Sequence, residues 1–86
     1  MIPAVVHDVA RHRFLVAVDG KECTLSYHEV DEKTVDFAGV FTPEELRGRG
    51  LAKIVVREAL AWARGRGKEV IPSCSYVRRY LAKEAE

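Results

Sequence analysis

The chain has 86 residues, 48% hydrophobic and 31% charged, enough for one small folded domain and too few for two. A formal net charge of +1 and a pI of about 7.8 supply no overall field to attract nucleic acid or a membrane surface, so any affinity for anions must be local. The opening MIPAVVHDVA has no basic leader and no long apolar run, which predicts neither a signal peptide nor a membrane span. Cys23 and Cys74 are too few for a disulfide scaffold, so a reduced, cytoplasmic setting is expected. His7, His12 and His28 lack the spacing of a metal site, and no metal is expected.

Along the chain, a short strand is predicted around Ala4–Asp8, followed by RFLVAV at 13–18, an apolar and β-branched strand. Asp19-Gly20 is a two-residue hairpin signal. KECTLSYHEV at 21–30 alternates, with Cys23, Leu25 and Tyr27 on one face and Glu22, Thr24, Ser26 and His28 on the other. Asp31-Glu32-Lys33 turns the chain into TVDFAGVF at 34–41. After Thr42-Pro43 the period lengthens. Leu51, Ala52, Val55, Val56, Ala59, Leu60 and Trp62 recur at helical spacing, opposite a thin stripe of Lys53, Arg57 and Arg64, as on a helix laid against a sheet. Gly65 and Gly67 are expected to end that helix, and Glu69-Val70-Ile71 to form a short strand closed by Pro72. Ser73 is expected to cap a final helix running to about Lys83.

A strand at 34–41, a helix at 50–64 and a strand at 69–71 make a β-α-β unit, whose two strands should be parallel with a right-handed crossover. The expected fold is therefore α+β: a mostly antiparallel sheet carrying a C-terminal β-α-β-α unit.

The tetrapeptide RGRG occurs twice, at 47–50 and at 64–67. The first copy opens the long helix, where first-turn N–H groups lack internal partners and the dipole is positive. Gly48 and Gly50 let those groups converge on a phosphate or pyrophosphate, with Arg47, Arg49 and Lys53 adding full charges. The second copy lies at the carbonyl end, where arginine complements the dipole and a phosphate gains nothing. The expected division is that 47–50 binds and 64–67 caps. Read as RGG-like RNA-binding segments, the copies lack interleaved aromatics and sit between periodic elements.

The stretch TPEELRGRGLA at 42–52 resembles the acyl-CoA pyrophosphate loop of the GNAT superfamily of N-acyltransferases, R/Q-x-x-G-x-G/A, with Arg47, Gly50 and Ala52 at its defining positions. VIPSCSYVRRYL at 70–81 is similar to the end of the small, stand-alone YjdJ-type N-acetyltransferase domains, where a Cys and then a Tyr follow the last short strand. The resemblance implies a minimal acetyl-CoA-binding N-acetyltransferase domain over residues 1–86, with acetyl-CoA as co-substrate and an amine, on a small molecule or a protein, as acceptor. It further implies that pantetheine lies between the two parallel strands where they separate, near residues 40–42, bonded to backbone groups of Phe41 and Thr42, and that the thioester ends near Cys74. Gly48, Arg49, Leu51 and Lys53 complete the cofactor loop. Members of the small family often carry His-Thr where this chain has Gly39-Val40, and Thr42 replaces their Val, so that strand offers no expected general base.

Cys74 is expected in the first turn of the last helix, where the dipole favours thiolate. It is a candidate acetyl acceptor or positioning group; the plainer reading is a half-buried apolar side chain. Tyr76 and Tyr80 form an i, i+4 pair, either of which the resemblance offers as proton donor to the departing thiolate, although core packing explains them equally. Arg78, Arg79 and Lys83 form a basic patch, either solvated or in contact with the CoA 3′-phosphate. Cys23 and Trp62 read as core. Two other readings stand beside the enzyme: a non-catalytic CoA-binding or regulatory module, and, in a different class, a small nucleic-acid-binding protein. A monomer and a homodimer both fit.

Overall fold

The computed structural model describes residues 4–86; the first three residues of the opening segment lie outside it. Five strands lie in the order β1 (Val6–Asp8), β2 (Arg13–Val18), β3 (Lys21–Asp31), β4 (Thr34–Phe41) and β5 (Glu69–Ile71). The first four pair antiparallel and β4–β5 pair parallel. Helix α1 (Leu51–Gly65) connects β4 to β5, and α2 (Ser75–Glu84) follows β5. This is the expected α+β arrangement.

Sequence chemistry accounts for the turns between β2 and β3 and between β3 and β4. Asp19 and Gly20 both take positive φ, +52° and +77°, the geometry of a two-residue hairpin that matches the twist of its strands. At the next turn Asp31 Oδ1 accepts the Lys33 N–H at 2.8 Å, a local carboxylate bridge that pins the reversal.

One face of the sheet holds the core. Phe14 and Val16 of β2, Cys23, Leu25 and Tyr27 of β3, and Val35 and Phe37 of β4 point the same way, as the period of two requires. Onto them α1 lays Leu51, Val55, Val56, Ala59, Leu60 and Ala63, and α2 lays Val77. Both helices therefore cover the same face. Each Val, Leu or Phe among them contributes about 1.5–3 kcal/mol when fully buried. Truncating the central Phe37 to Ala would cost about 3–5 kcal/mol, a large part of a small domain's stability.

The β3–β4 ladder carries two irregularities. Ser26 pairs with Gly39 and Tyr27 with Phe37, so Ala38 is an extra, bulged residue in β4. Glu29 pairs with Val35 and Asp31 with Thr34, which leaves Val30 as the extra residue of β3.

Candidate functional site

The loop entering α1 is anchored by Leu46, which ends a single 3₁₀ turn (Glu44–Leu46) and is buried in the core. Arg47 is extended, and Gly48 and Gly50 follow at φ +79° and +74°. An added Cβ would meet nothing within 4 Å at either glycine, so the backbone angle, and not crowding, demands glycine there. The first helical bond runs from Ile54 N–H to Gly50 C=O at 3.3 Å, and no side chain caps the helix. The N–H groups of Leu51, Ala52 and Lys53 therefore lack intrahelical acceptors at the positive end of the dipole.

Charged side chains surround this opening. Arg47 Nε donates to Thr42 C=O at 3.3 Å, which braces the loop and occupies that carbonyl. Arg49 faces Asp19 loosely at 3.9 Å, with both side chains exposed. Lys53 has no ion-pair partner among the described residues. Leu51 is buried in the core and offers the loop only its backbone. Glu44 and Glu45 start the separate 3₁₀ turn and not α1, and Glu45 pairs with Lys21 at 3.2 Å.

A groove of about 560 Å³ separates the start of α1 from α2, lined by Lys53, Tyr76, Arg79, Tyr80, Lys83 and Glu84. The i, i+4 tyrosines thus share one wall and face Lys53 of α1. Burial, reinforced by the nearby Cys23, pushes the Tyr76 phenol above its ordinary range and keeps it protonated at neutral pH. Cys23 Sγ lies 3.3 Å from Thr42 Oγ1, joining the core to the end of β4.

Two expectations about β5 and α2 need correction. Cys74, and not Ser73, is the N-cap of α2, with extended backbone and no side-chain cap bond. Tertiary bonds delay the helix: Cys74 N–H donates to Phe37 C=O at 3.0 Å, and the Arg78 guanidinium holds the carbonyls of Pro72 and Ser73. The parallel strands also separate earlier than residues 40–42. Their last ladder pair is Asp36–Ile71, and the Cys74–Phe37 bond closes the junction. Beyond it β4 has no parallel partner but stays paired with β3 through the bulge at Ala38 to Phe41, whose side chain is exposed.

Asp36 was not singled out from the sequence. It sits between the core residues Val35 and Phe37 and so faces the opposite, helix-free side of the sheet, two residues before the bulge. Its Oδ1 is shielded from solvent without a hydrogen-bond partner among the described residues. Gly39, inside a strand, was the available signal for the bulge beside it. Among the described residues no group of three or more His, Cys, Asp or Glu could hold a metal, and no helix is long and apolar enough to cross a membrane.

A mixed sheet whose last parallel strands part beside an uncapped, glycine-led helix is an acetyltransferase fold. The chain matches the family described as GCN5-related N-acetyl-transferase over residues 13–86, and it belongs to that family. It is similar to Protein NATD1 of Xenopus tropicalis, 32% identical over 79 residues covering 90% of this chain and 72% of the relative. It resembles Protein NATD1 of Gallus gallus and of Homo sapiens at 30% identity, over 90% of this chain and 72% and 70% of those relatives.

Proposed function

We propose that the protein is an acetyl-CoA-dependent N-acetyltransferase. The observation that carries this reading is the loop at 47–53, where two left-handed glycines open α1 and leave its first N–H groups free in a chain of this family. Those N–H groups, with Arg47, Arg49 and Lys53, hold the pyrophosphate. The backbone of Phe41 and Thr42 N–H bind pantetheine, and the thioester carbonyl lies where β4 and β5 part.

The neutral amine attacks the thioester carbonyl carbon; the C–N bond forms and the C–S bond breaks. Asp36, on the helix-free face, takes the proton the amine loses. Tyr76, in the first turn of α2 beside Cys74, protonates the departing thiolate, so that an amide and CoA thiol leave. Transfer is direct, and Cys74 shapes the site, since its backbone bonds tie α2 to β4 and no base is hydrogen-bonded to its thiol among the described residues. Intact-protein mass spectrometry with acetyl-CoA and no acceptor tests that point. A stoichiometric acetyl adduct that Cys74→Ala abolishes would instead establish a covalent intermediate.

Calorimetry and thermal denaturation with acetyl-CoA test the reading as a whole. Ligand at about 100 times its Kd should add roughly 2.7 kcal/mol of stability and several degrees of Tm, and adenosine far less. No heat and no shift at millimolar acetyl-CoA would overturn it.

A further inference from the structure

The basic patch on α2 is not uniform. Arg78 is occupied by the carbonyls of Pro72 and Ser73, at 3.1 and 2.9 Å, and stabilises the turn into α2. Arg79 and Lys83 point into the groove and have no ion-pair partner among the described residues, and Lys53 faces them from α1 under the same condition. The groove's one carboxylate, Glu84, is neutralised from outside by Arg64. The cavity therefore carries three uncompensated positive charges beyond those of the loop at 47–50.

A pyrophosphate held at the start of α1 does not account for all of them. Arg79 and Lys83 are i, i+4, one turn or about 6 Å apart on one helix face, with Tyr80 on the same stripe. A guanidinium fork beside a lysine ammonium suits a phosphate monoester, which carries close to two negative charges at neutral pH. The adjoining tyrosine supplies a flat apolar surface for a purine.

We propose that Arg79 and Lys83 form a phosphate-monoester subsite that receives the ribose 3′-phosphate of the CoA carrier and so selects CoA over its 3′-dephospho form. The proposal rests on the acetyl-CoA reading above. Charge-assisted hydrogen bonds of this kind correspond to about 10- to 100-fold in affinity.

The test is calorimetric titration of acetyl-CoA and 3′-dephospho-acetyl-CoA into the wild type, an Arg79→Ala/Lys83→Ala double variant and an Arg78→Ala control. The wild type should bind the dephospho ligand about 10- to 100-fold more weakly. The double variant should bind both ligands alike, at the wild type's affinity for the dephospho form. Arg78→Ala should keep the discrimination. Equal wild-type affinities, or discrimination surviving in the double variant, would overturn the subsite while leaving acetyl-CoA binding intact. If neither ligand binds the wild type, the acetyl-CoA reading fails and the subsite with it.

Discussion

In front of α1, residues 47–50 place both glycines at positive φ, +79° and +74°, and leave three N–H groups of the next turn without helical acceptors. Behind α1 the same four residue types, 64–67, do something else. Gly65 is the last helical residue, and only Gly67, at φ +65°, is left-handed. There Gly67 N–H bonds to Arg64 C=O at 3.1 Å and Lys68 N–H to Ala63 C=O at 2.9 Å, a Schellman closure that satisfies the orphan carbonyls. The arginines differ as well. Arg64 forms a two-pronged pair with Glu84 of α2, and Arg66 lies over the Trp62 ring at 5.9 Å, whereas Arg47 and Arg49 flank an open helix end. One tetrapeptide serves two purposes because a helix has donors to satisfy at one end and acceptors at the other.

Gly50→Glu breaks the comparison most severely. It forces a side chain into a left-handed position and sets a carboxylate at the proposed pyrophosphate site. Acetyl-CoA affinity should fall by at least about 100-fold, since a tenfold loss needs only about 1.4 kcal/mol. Isothermal titration measures this, and near-normal affinity would detach the loop from cofactor binding.

Alanine at the two rear glycines sharpens the contrast through stability. Gly67→Ala should destabilise by about 1 kcal/mol, because a Cβ resists positive φ. Gly65→Ala should stabilise by about 0.5–1 kcal/mol, since that residue is helical with open space around it. Urea denaturation of the pair should therefore give opposite signs, with acetyl-CoA affinity unchanged in both.

Much of this was readable from residues alone. Alternation in 21–30 and the Asp19-Gly20 signal are local, and so are the strand limits they set. The spacing of Leu51 through Trp62 is local too, and the front-and-rear division of the two tetrapeptides follows from helix polarity. What was not readable depends on tertiary partners. Ser73 is a good cap in isolation, but the Cys74–Phe37 bond holds the backbone extended for one more residue. The point where β4 and β5 part is set by that same bond. Tyr76 and Tyr80 were visible as a helix-face pair, whereas their meeting with Lys53 across a groove needed the packing of α2 beside α1. Asp36 carried no local signal beyond alternation, and only its shielded, unpartnered oxygen distinguishes it.

A smaller effect is expected from Arg64→Ala combined with Arg66→Ala. Both residues lie at the carbonyl end of α1, and exposed ion pairs contribute little to stability. Affinity for acetyl-CoA should fall by no more than about threefold, roughly 0.7 kcal/mol, through the Glu84 carboxylate that Arg64 no longer neutralises. A loss comparable to that of Gly50→Glu would mean that the two copies share a role.

The smallest effect tests whether the rear copy acts electrostatically beyond its cap. His7 stacks on Phe14 with ring centroids 4.0 Å apart, meets Trp62 edge-on at 4.9 Å and has Nε2 2.7 Å from the Tyr27 hydroxyl. Burial holds its pKa below 6.5, and the positive charge of Arg66 lowers it further; Asp8 and Glu29 pull it up, while His12 pushes it down. Below pH 6.5 the unfolded chain therefore binds more protons at this site than the folded one. His7 contributes stability that is complete above that pH and lost as pH falls through the folded value. Removing the Arg66 charge should move the folded value upward, toward 6.5, and make the acid-side loss of stability shallower. An NMR titration of the His7 imidazole in wild type and Arg66→Ala, paired with Tm measured between pH 5 and 7.5, reads both quantities. An unmoved titration would confine Arg66 to the Trp62 ring and the helix end.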